Sequence, residues 1–135
     1  MAGYSGTLLW KKLGYRDGLL SYVGGAPADY LRILQLPSEI FVKWKKQPVP
    51  GIEFVHQFST SKAELTKKLQ SFRKTIDPGG TVWVSWPKKS SGVKTDITED
   101  VVRQVALPLG FVDIKVCAVD DVWSGLKLVI RKDLR

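Results

Sequence analysis

One stretch decides the fold: "STSKAELTKKLQSFRKTIDPGGTVWVSW" (residues 59–86), where a helical pattern runs directly into a strand pattern. Ser61 and Glu64 have the spacing of a capping box, in which a hydroxyl and a carboxylate satisfy free backbone amides at a helix start. Apolar residues then recur every three or four positions and predict one buried helix face: Leu65, Leu69, Phe72 and Ile76. "DPGG" (77–80) ends the helix, and the nearly continuous apolar run "TVWVSW" (81–86) is typical of a strand buried on both faces.

The residues upstream predict three more strands and a short helix. "GLLSYVGG" (18–25) is an apolar run closed by two glycines, which indicates a buried strand and a tight turn, and "APADYLRILQL" (26–36) indicates a short helix. "EIFVKWKK" (39–46) and "IEFVHQF" (52–58) are two further strand patterns. Because only a short loop joins this last pair, either they form a hairpin or one crossover helix is missing.

Downstream, the pattern predicts a helix and a terminal hairpin. Asp96 and Glu99 can cap the helix, Gly110 ends it, and its apolar stripe is Val101, Val102, Val105, Ala106 and Leu109. The strand patterns at 111–119 and 125–132 are joined closely enough to pair antiparallel. Strands alternating with helices indicate a mainly parallel sheet whose right-handed crossovers place helices on both faces. We therefore predict one α/β domain over residues 1–135, a common domain length.

A resemblance supports this fold class. From "IEFVHQFSTSKAELTKKL" through "DPGGTVWVSW" to "LGFVDIKVCAVDDVWSGLKLVIRK", the chain resembles the second half of a Rossmann-like methyltransferase domain. The matching positions are the turn at 78–80, the strand at 82–86 and the "LGF" at 109–111. The resemblance implies a three-layer sheet that ends in an antiparallel hairpin. The whole chain also resembles short bacterial proteins that are grouped as a domain of unknown function, with a truncated form of this fold.

The resemblance also implies a cofactor, S-adenosylmethionine, that the residues do not favour. Such methyltransferases bind it with a glycine-rich loop after the first strand and a carboxylate after the second, which holds the ribose hydroxyls. Here Gly24 and Gly25 are adjacent, without G-x-G-x-x-G spacing. Lys45 and Lys46 replace the carboxylate; lysine accepts no hydrogen bond, and its charge repels the sulfonium. We predict no cofactor, with a divergent methyltransferase using the loop 24–29 as the alternative.

A candidate ligand site lies at the carboxyl edge of the predicted sheet, where open parallel sheets bind ligands. There Lys88 and Lys89 supply charge, Ser90 and Ser91 supply hydroxyl groups, and Trp86 and Trp123 would form walls. The complete predicted set is Gly24, Gly25, Pro27, Thr60, Trp86, Lys88, Lys89, Ser90, Ser91, Asp120 and Trp123. The predicted function is a small binding module for an anionic small molecule, a nucleotide or an acidic protein partner. A merely solvated loop is the alternative.

The uneven distribution of charge along the sequence also favours an anionic ligand or partner. The net charge is +8, and residues 1–94 carry 15 basic and 6 acidic side chains against 6 and 7 in residues 95–135. This asymmetry favours an anionic partner, although it also serves solubility. Nucleic-acid binding is a third hypothesis because four tryptophans lie near lysines, but no motif of a nucleic-acid-binding fold accompanies them: Trp44, Trp83, Trp86 and Trp123.

The remaining reactive residues predict no catalytic or metal site, which favours a binding protein over an enzyme. The single cysteine, Cys117, excludes an internal disulfide and a multi-cysteine zinc site. His56, the only histidine, lies within an aromatic strand, where a packed, hydrogen-bonded ring is the favoured interpretation over a triad with Ser90 or Ser91 and Asp120. No secretory signal or bilayer-spanning segment is visible, so we predict a cytoplasmic protein without a membrane association.

Overall fold

The computed structural model describes residues 6–135, which form four α-helices and six β-strands. In chain order these elements are α1 (Leu9–Leu13), β1 (Leu20–Gly24), α2 (Tyr30–Leu34), β2 (Lys43–Lys45), β3 (Ile52–Phe58), α3 (Lys62–Thr75), β4 (Ile76–Pro87), α4 (Glu99–Ala106), β5 (Phe111–Ala118) and β6 (Trp123–Ile130). Single 3₁₀ turns follow β4, α4 and β6.

All six strands belong to one sheet, in the order β2-β1-β3-β4-β6-β5. The first four strands of this order run parallel, and β6 runs antiparallel to both β4 and β5. The prediction of a mostly parallel, Rossmann-like sheet with a terminal antiparallel hairpin is therefore confirmed.

Helices cover both faces of the sheet, as predicted. Helices α3 and α4 pack on one face, which we call the α3/α4 face, and α1 and α2 pack on the other, the α1/α2 face. Alternation along β4 sends Val82, Val84 and Trp86 to the α3/α4 face and Trp83 to the α1/α2 face. The strand is buried on both faces, which explains its nearly continuous apolar sequence.

The open question about residues 39–58 is settled by the strand order. Strand β1 lies between β2 and β3, so these two are not a hairpin, and the six residues 46–51 replace a crossover helix. This loop is a tight turn in which Ile52 N donates to Val49 O at 3.0 Å, and Val49 packs on the α3/α4 face. The predicted strand 39–46 is reduced to three residues. Ile40 N donates to Pro37 O in a turn, so the strand begins only at Lys43.

The ends of α3 and α4 differ from the predicted details. Ser61 caps α3 by accepting from Glu64 N at 3.2 Å, but the Glu64 carboxylate accepts from the Ser59 hydroxyl, so only half of the capping box forms. Thr98, not Asp96, caps α4 by accepting from Val101 N. Asp96 instead accepts from Lys62 N at 2.7 Å and ties its loop to the start of α3.

The DPGG segment is a bulge within β4. The helix ends at Thr75, and β4 is continuous from Ile76, with Ile76 opposite Ile52 and Thr81 opposite Phe54. A Cβ on Gly80 would lie 2.8 Å from Ile76 Cγ1, so close packing, not a left-handed backbone, requires glycine here. None of the described helices is long and apolar enough to cross a bilayer.

Candidate functional site

The carboxyl ends of β1 and β3 form the point at which the strand order reverses. The chain goes from β1 to β2 on one side and to β3 on the other, and such switch points leave a crevice in which α/β folds bind ligands. In register, Gly24 at the end of β1 lies beside Gln57 near the end of β3. This pair, which we call the Gly24–Gln57 edge, is therefore the centre of the candidate site.

Gln57 is the unusual residue of this edge. It is 2% exposed, and its Nε2 donates to Phe58 O at 2.9 Å, but its Oε1 has no hydrogen-bond partner within residues 6–135. An unpaired buried acceptor costs about 1–3 kcal/mol. A Cβ on Gly24 would collide with Gln57 Oε1 and lie 2.9 Å from the Tyr22 hydroxyl. The missing Cβ of Gly24 thus makes room for an acceptor that lacks a donor.

Gly25 is required for a different reason. Its φ of 66° lies in the left-handed region, where residues with a Cβ are strained, and a Cβ would also approach Phe58 O to 2.7 Å. Pro27 follows in the same loop, and its carbonyl accepts from Tyr30 N at the start of α2. The predicted residues of this loop therefore do lie at the carboxyl edge beside β3.

We expect Gly24→Ala to lower the free energy of unfolding by about 1–3 kcal/mol, because the new methyl group overpacks the space that holds the Gln57 carboxamide. Gly79→Ala is the matched control. The nearest atom to a Cβ there is Asp77 Oδ2 at 3.5 Å, so the change should stay within about 0.5 kcal/mol. Urea denaturation of both variants measures the difference; equal values would show that Gln57 moves aside freely.

The predicted lysine loop is tied to the β5–β6 hairpin. Lys88 N donates to Val122 O at 2.8 Å, and Lys88 Nζ donates to Asp120 O at 2.7 Å. The Asp120 carboxylate accepts from Val122 N and Trp123 N, which closes its own turn. Lys88 and Asp120 are thus brought together as predicted, but their polar groups are used to join two loops.

The two serines of the same loop differ: Ser91 forms hydrogen bonds within the turn, whereas Ser90 is exposed. Ser91 Oγ donates to Lys88 O at 2.6 Å and accepts from Val93 N, so it closes the 3₁₀ turn after β4. Lys89 and Ser90 are exposed, and neither side chain has a hydrogen-bond partner in the described part of the chain. The four polar residues of the loop do not converge on one point.

The two predicted aromatic walls lie on opposite sides of the sheet. Trp86 belongs to the apolar core of the α3/α4 face, whereas Trp123 packs on the α1/α2 face with its ring 5.1 Å from that of Phe58. Pro87 pairs with Trp123 and Trp86 with Ser124, so the side chains of the two tryptophans point in opposite directions. The prediction that they line one pocket is wrong for this reason.

Thr60 lies in a separate, shallow cleft of about 370 Å³. The residues that line it are Thr60, Ser61, Lys94, Thr95 and Asp96. Thr95 Oγ1 donates to Thr60 O at 2.8 Å, and the Asp96 carboxylate is taken by the start of α3. The cleft offers hydroxyl groups and the Lys94 ammonium to a ligand. The Asp96 carboxylate and the Thr95 hydroxyl already form hydrogen bonds that hold the loop 92–98.

His56 belongs to a buried chain of polar side chains. Tyr15 OH lies 2.7 Å from Tyr30 OH, Tyr30 OH 2.7 Å from His56 Nδ1, and His56 Nε2 2.8 Å from Ser85 Oγ. All four residues are buried. The packed, hydrogen-bonded histidine is thus confirmed, and the triad with Ser90 or Ser91 and Asp120 does not form.

Burial sets the protonation states of these hydrogen-bonded side chains. Desolvation lowers the pKa of His56 to about 3 and raises the pKa of both Tyr15 and Tyr30. At neutral pH the ring of His56 is therefore uncharged, with one nitrogen donating and the other accepting. This arrangement stabilises the contact between α2 and the sheet and does not expose a general base.

The chain is similar in structure to several methyltransferases. No protein-family model and no curated protein matches it. A methyltransferase from Aquifex aeolicus that depends on S-adenosylmethionine aligns with a TM-score of 0.64 at 15% identity, over 90% of this chain and 87% of that one. The magnesium protoporphyrin IX methyltransferase of Synechocystis, solved with bound S-adenosylmethionine, aligns with a TM-score of 0.61 at 12% identity. The alignment covers 91% of this chain and 74% of that one. At these identities the similarity establishes a methyltransferase-like fold.

S-adenosylmethionine as a whole does not fit the residues present. Gln57 Oε1 could accept a hydrogen bond from an adenosine hydroxyl or amino group, which suits the nucleoside half. The end of β2, however, carries Lys45 and Lys46, neither of which has an ion-pair partner in the described range. These ammonium groups repel a sulfonium and accept no hydrogen bond from a ribose diol. Residues 6–135 also contain no cluster of three or more potential metal ligands.

Sequence reasoning missed Gln57 and most of the buried polar chain. A signal for Gln57 was available, because it is a neutral polar residue in a mostly apolar strand, one residue before the strand end. Polar residues at such positions are hydrogen-bonded or functional when buried. No comparable signal linked Tyr15, Tyr30 and Ser85, since their contact depends on how three separate elements pack.

Proposed function

We propose that this protein binds an adenosine-containing ligand at the Gly24–Gln57 edge. One observation carries the proposal: a buried amide oxygen, that of Gln57, has no donor among residues 6–135 and lies against a glycine at the switch point of the sheet. A nucleoside carries hydroxyl and amino donors, so its binding would satisfy this oxygen and remove its energetic cost.

Access to Gln57 Oε1 requires a local rearrangement. The atom is covered, whereas Gly25 and Ala28 in the neighbouring loop are exposed. Glycine permits this loop to move, because its backbone tolerates more conformations than that of other residues. Binding would therefore proceed with a shift of the loop 25–29 or of the Gln57 side chain, and ordering of this loop is an expected signature.

A divergent S-adenosylmethionine-dependent methyltransferase is the second candidate. The fold similarity favours it over a binding module for an arbitrary anion, since the matched structures include methyltransferases solved with or dependent on that cofactor. The lysines at the end of β2 oppose it. This candidate needs the loop 24–29 to bind the cofactor without a carboxylate at β2.

Calorimetric titration and thermal shift with adenosine, S-adenosylmethionine and S-adenosylhomocysteine test the proposal. A ligand at about 100 times its dissociation constant should add roughly 2.7 kcal/mol of stability, a rise of several degrees in Tm. Gln57→Leu should abolish the shift while remaining folded, because it removes an acceptor oxygen that has no donor among residues 6–135 and loses only the hydrogen bond from Nε2 to Phe58 O.

The control is Gln47→Leu, the same substitution at an exposed glutamine in the loop after β2. It should bind like the unmodified protein. The proposal fails if neither these three compounds nor any phosphorylated adenosine binds, or if Gln57→Leu binds an adenosine compound with unchanged affinity.

A further inference from the structure

We infer that the ligand of the Gly24–Gln57 edge carries a phosphate group, bound by Lys45 and Lys46, and is thus a phosphorylated adenosine. This inference rests on the proposed function and specifies its ligand class. It joins two features on either side of β1, each without a partner among residues 6–135: the acceptor oxygen of Gln57 on β3 and the ammonium groups at the end of β2.

Register places Lys45 on the same face of the sheet as Gln57. Lys45 lies beside Tyr22, and Tyr22 lies beside Val55, which belongs to the α3/α4 core. Residues in register on parallel strands point to the same face. Gly24 and Gln57 are the pair two residues further along, so Gln57 lies two strands from Lys45, roughly 10 Å across the sheet, and roughly 7 Å further along it.

The shortened crossover leaves this part of the α3/α4 face open. A helix normally connects parallel strands and covers the face between them. Here only residues 46–51 join β2 to β3, and Val49 is the residue of that loop that packs on the core. Lys45 and Lys46 consequently remain exposed beside the end of β1.

No carboxylate in the described range neutralises these two lysines. Glu53 is the acidic residue of β3, and its carboxylate accepts from Leu20 N at the opposite end of β1. Asp29, in the loop after β1, is paired with Arg32 at 2.6 Å. The positive charge at the end of β2 is therefore available to a ligand.

The chemistry of the ligand follows from these two requirements. It must donate a hydrogen bond to Gln57 and present negative charge to the ammonium groups at the end of β2, two strands away. In dinucleotide-binding folds, a carboxylate at the second strand binds a ribose diol, whereas a basic residue there accommodates a ribose phosphate. A phosphorylated adenosine meets both requirements, and a sulfonium compound does not.

The test is calorimetry on the full chain with adenosine, adenosine 5′-monophosphate, adenosine 3′,5′-bisphosphate and S-adenosylmethionine. We expect at least one phosphorylated compound to bind with an affinity at least about tenfold higher than that of adenosine. The affinity of that compound should fall as the salt concentration rises. Lys45→Ala/Lys46→Ala should reduce that difference to about twofold or less. Lys67→Ala/Lys68→Ala, which removes equal charge from α3, should leave it unchanged.

The outcomes separate this inference from the proposed function. If adenosine or S-adenosylmethionine binds at least as tightly as the phosphorylated compounds, or if Lys45→Ala/Lys46→Ala has no effect, the inference is overturned and the adenosine site stands. Failure of every compound overturns both. A short oligoadenylate that binds far more tightly than the free nucleotides would overturn the assignment to a small molecule and identify single-stranded nucleic acid instead.

Discussion

Acidification from pH 6.5 to pH 4 should lower the free energy of unfolding by about 3 kcal/mol through His56 alone. The folded protein holds His56 neutral because burial lowers its pKa to about 3, whereas the unfolded chain exposes an ordinary histidine with a pKa of about 6.5. Between these values the unfolded state binds a proton that the folded state does not. The contribution of the neutral His56 ring to the free energy of unfolding is complete above pH 6.5. It falls by about 1.4 kcal/mol per pH unit as the pH is lowered toward 3.

His56→Gln isolates this effect from other acid-sensitive groups. Glutamine retains a donor and an acceptor for Tyr30 and Ser85 but does not titrate. The substitution should destabilise the protein at pH 7, because its amide does not reproduce the geometry of the ring. As the pH falls below 6.5, the stability difference between the two proteins should shrink.

Urea denaturation at half-unit intervals between pH 4 and pH 8 measures the two curves. Other groups, such as Asp113, whose pKa is lowered by Arg103, contribute equally to both proteins and cancel in the difference. Parallel curves across this range would contradict the prediction, since they would mean that His56 is protonated to the same extent in both states.

The layers of the fold were predictable from the sequence because they depend on local periodicity. The stripe of α3 and the apolar run of β4 each report which faces are buried, whatever their partners are. The loss of a crossover helix was also visible, as a short connection. The choice between hairpin and crossover was not, because it depends on whether β1 inserts between β2 and β3.

The site was less predictable because side-chain partners depend on register between distant strands. The carboxyl edge was located correctly by topology, and Gly24 and Gly25 do lie there. The sequence could not show that Lys88 would bond a backbone carbonyl in the β5–β6 turn. Nor could it show that Gln57 would lie against Gly24, since that contact requires the parallel register of β1 and β3.

Trp83→Phe should lower the free energy of unfolding by about 2–4 kcal/mol, because it removes a buried hydrogen bond and leaves a cavity. Trp83 is fully buried, and its Nε1 donates to Leu13 O at 2.8 Å. Leu13 is the last residue of α1, where helix carbonyls lack partners of their own. The indole therefore joins the C-terminus of α1 to the middle of the sheet.

Trp44→Phe is the matched control, since Trp44 is 39% exposed and lies on β2. Its ring contact with Tyr15 is retained by phenylalanine, so the loss should stay below about 1 kcal/mol. Thermal and urea denaturation of both variants provide the comparison. Helices of five residues do not form alone in water, so α1 exists only through contacts such as that of Trp83. Equal losses in the two variants would mean that the Trp83–Leu13 bond adds nothing to the docking of α1 on the sheet.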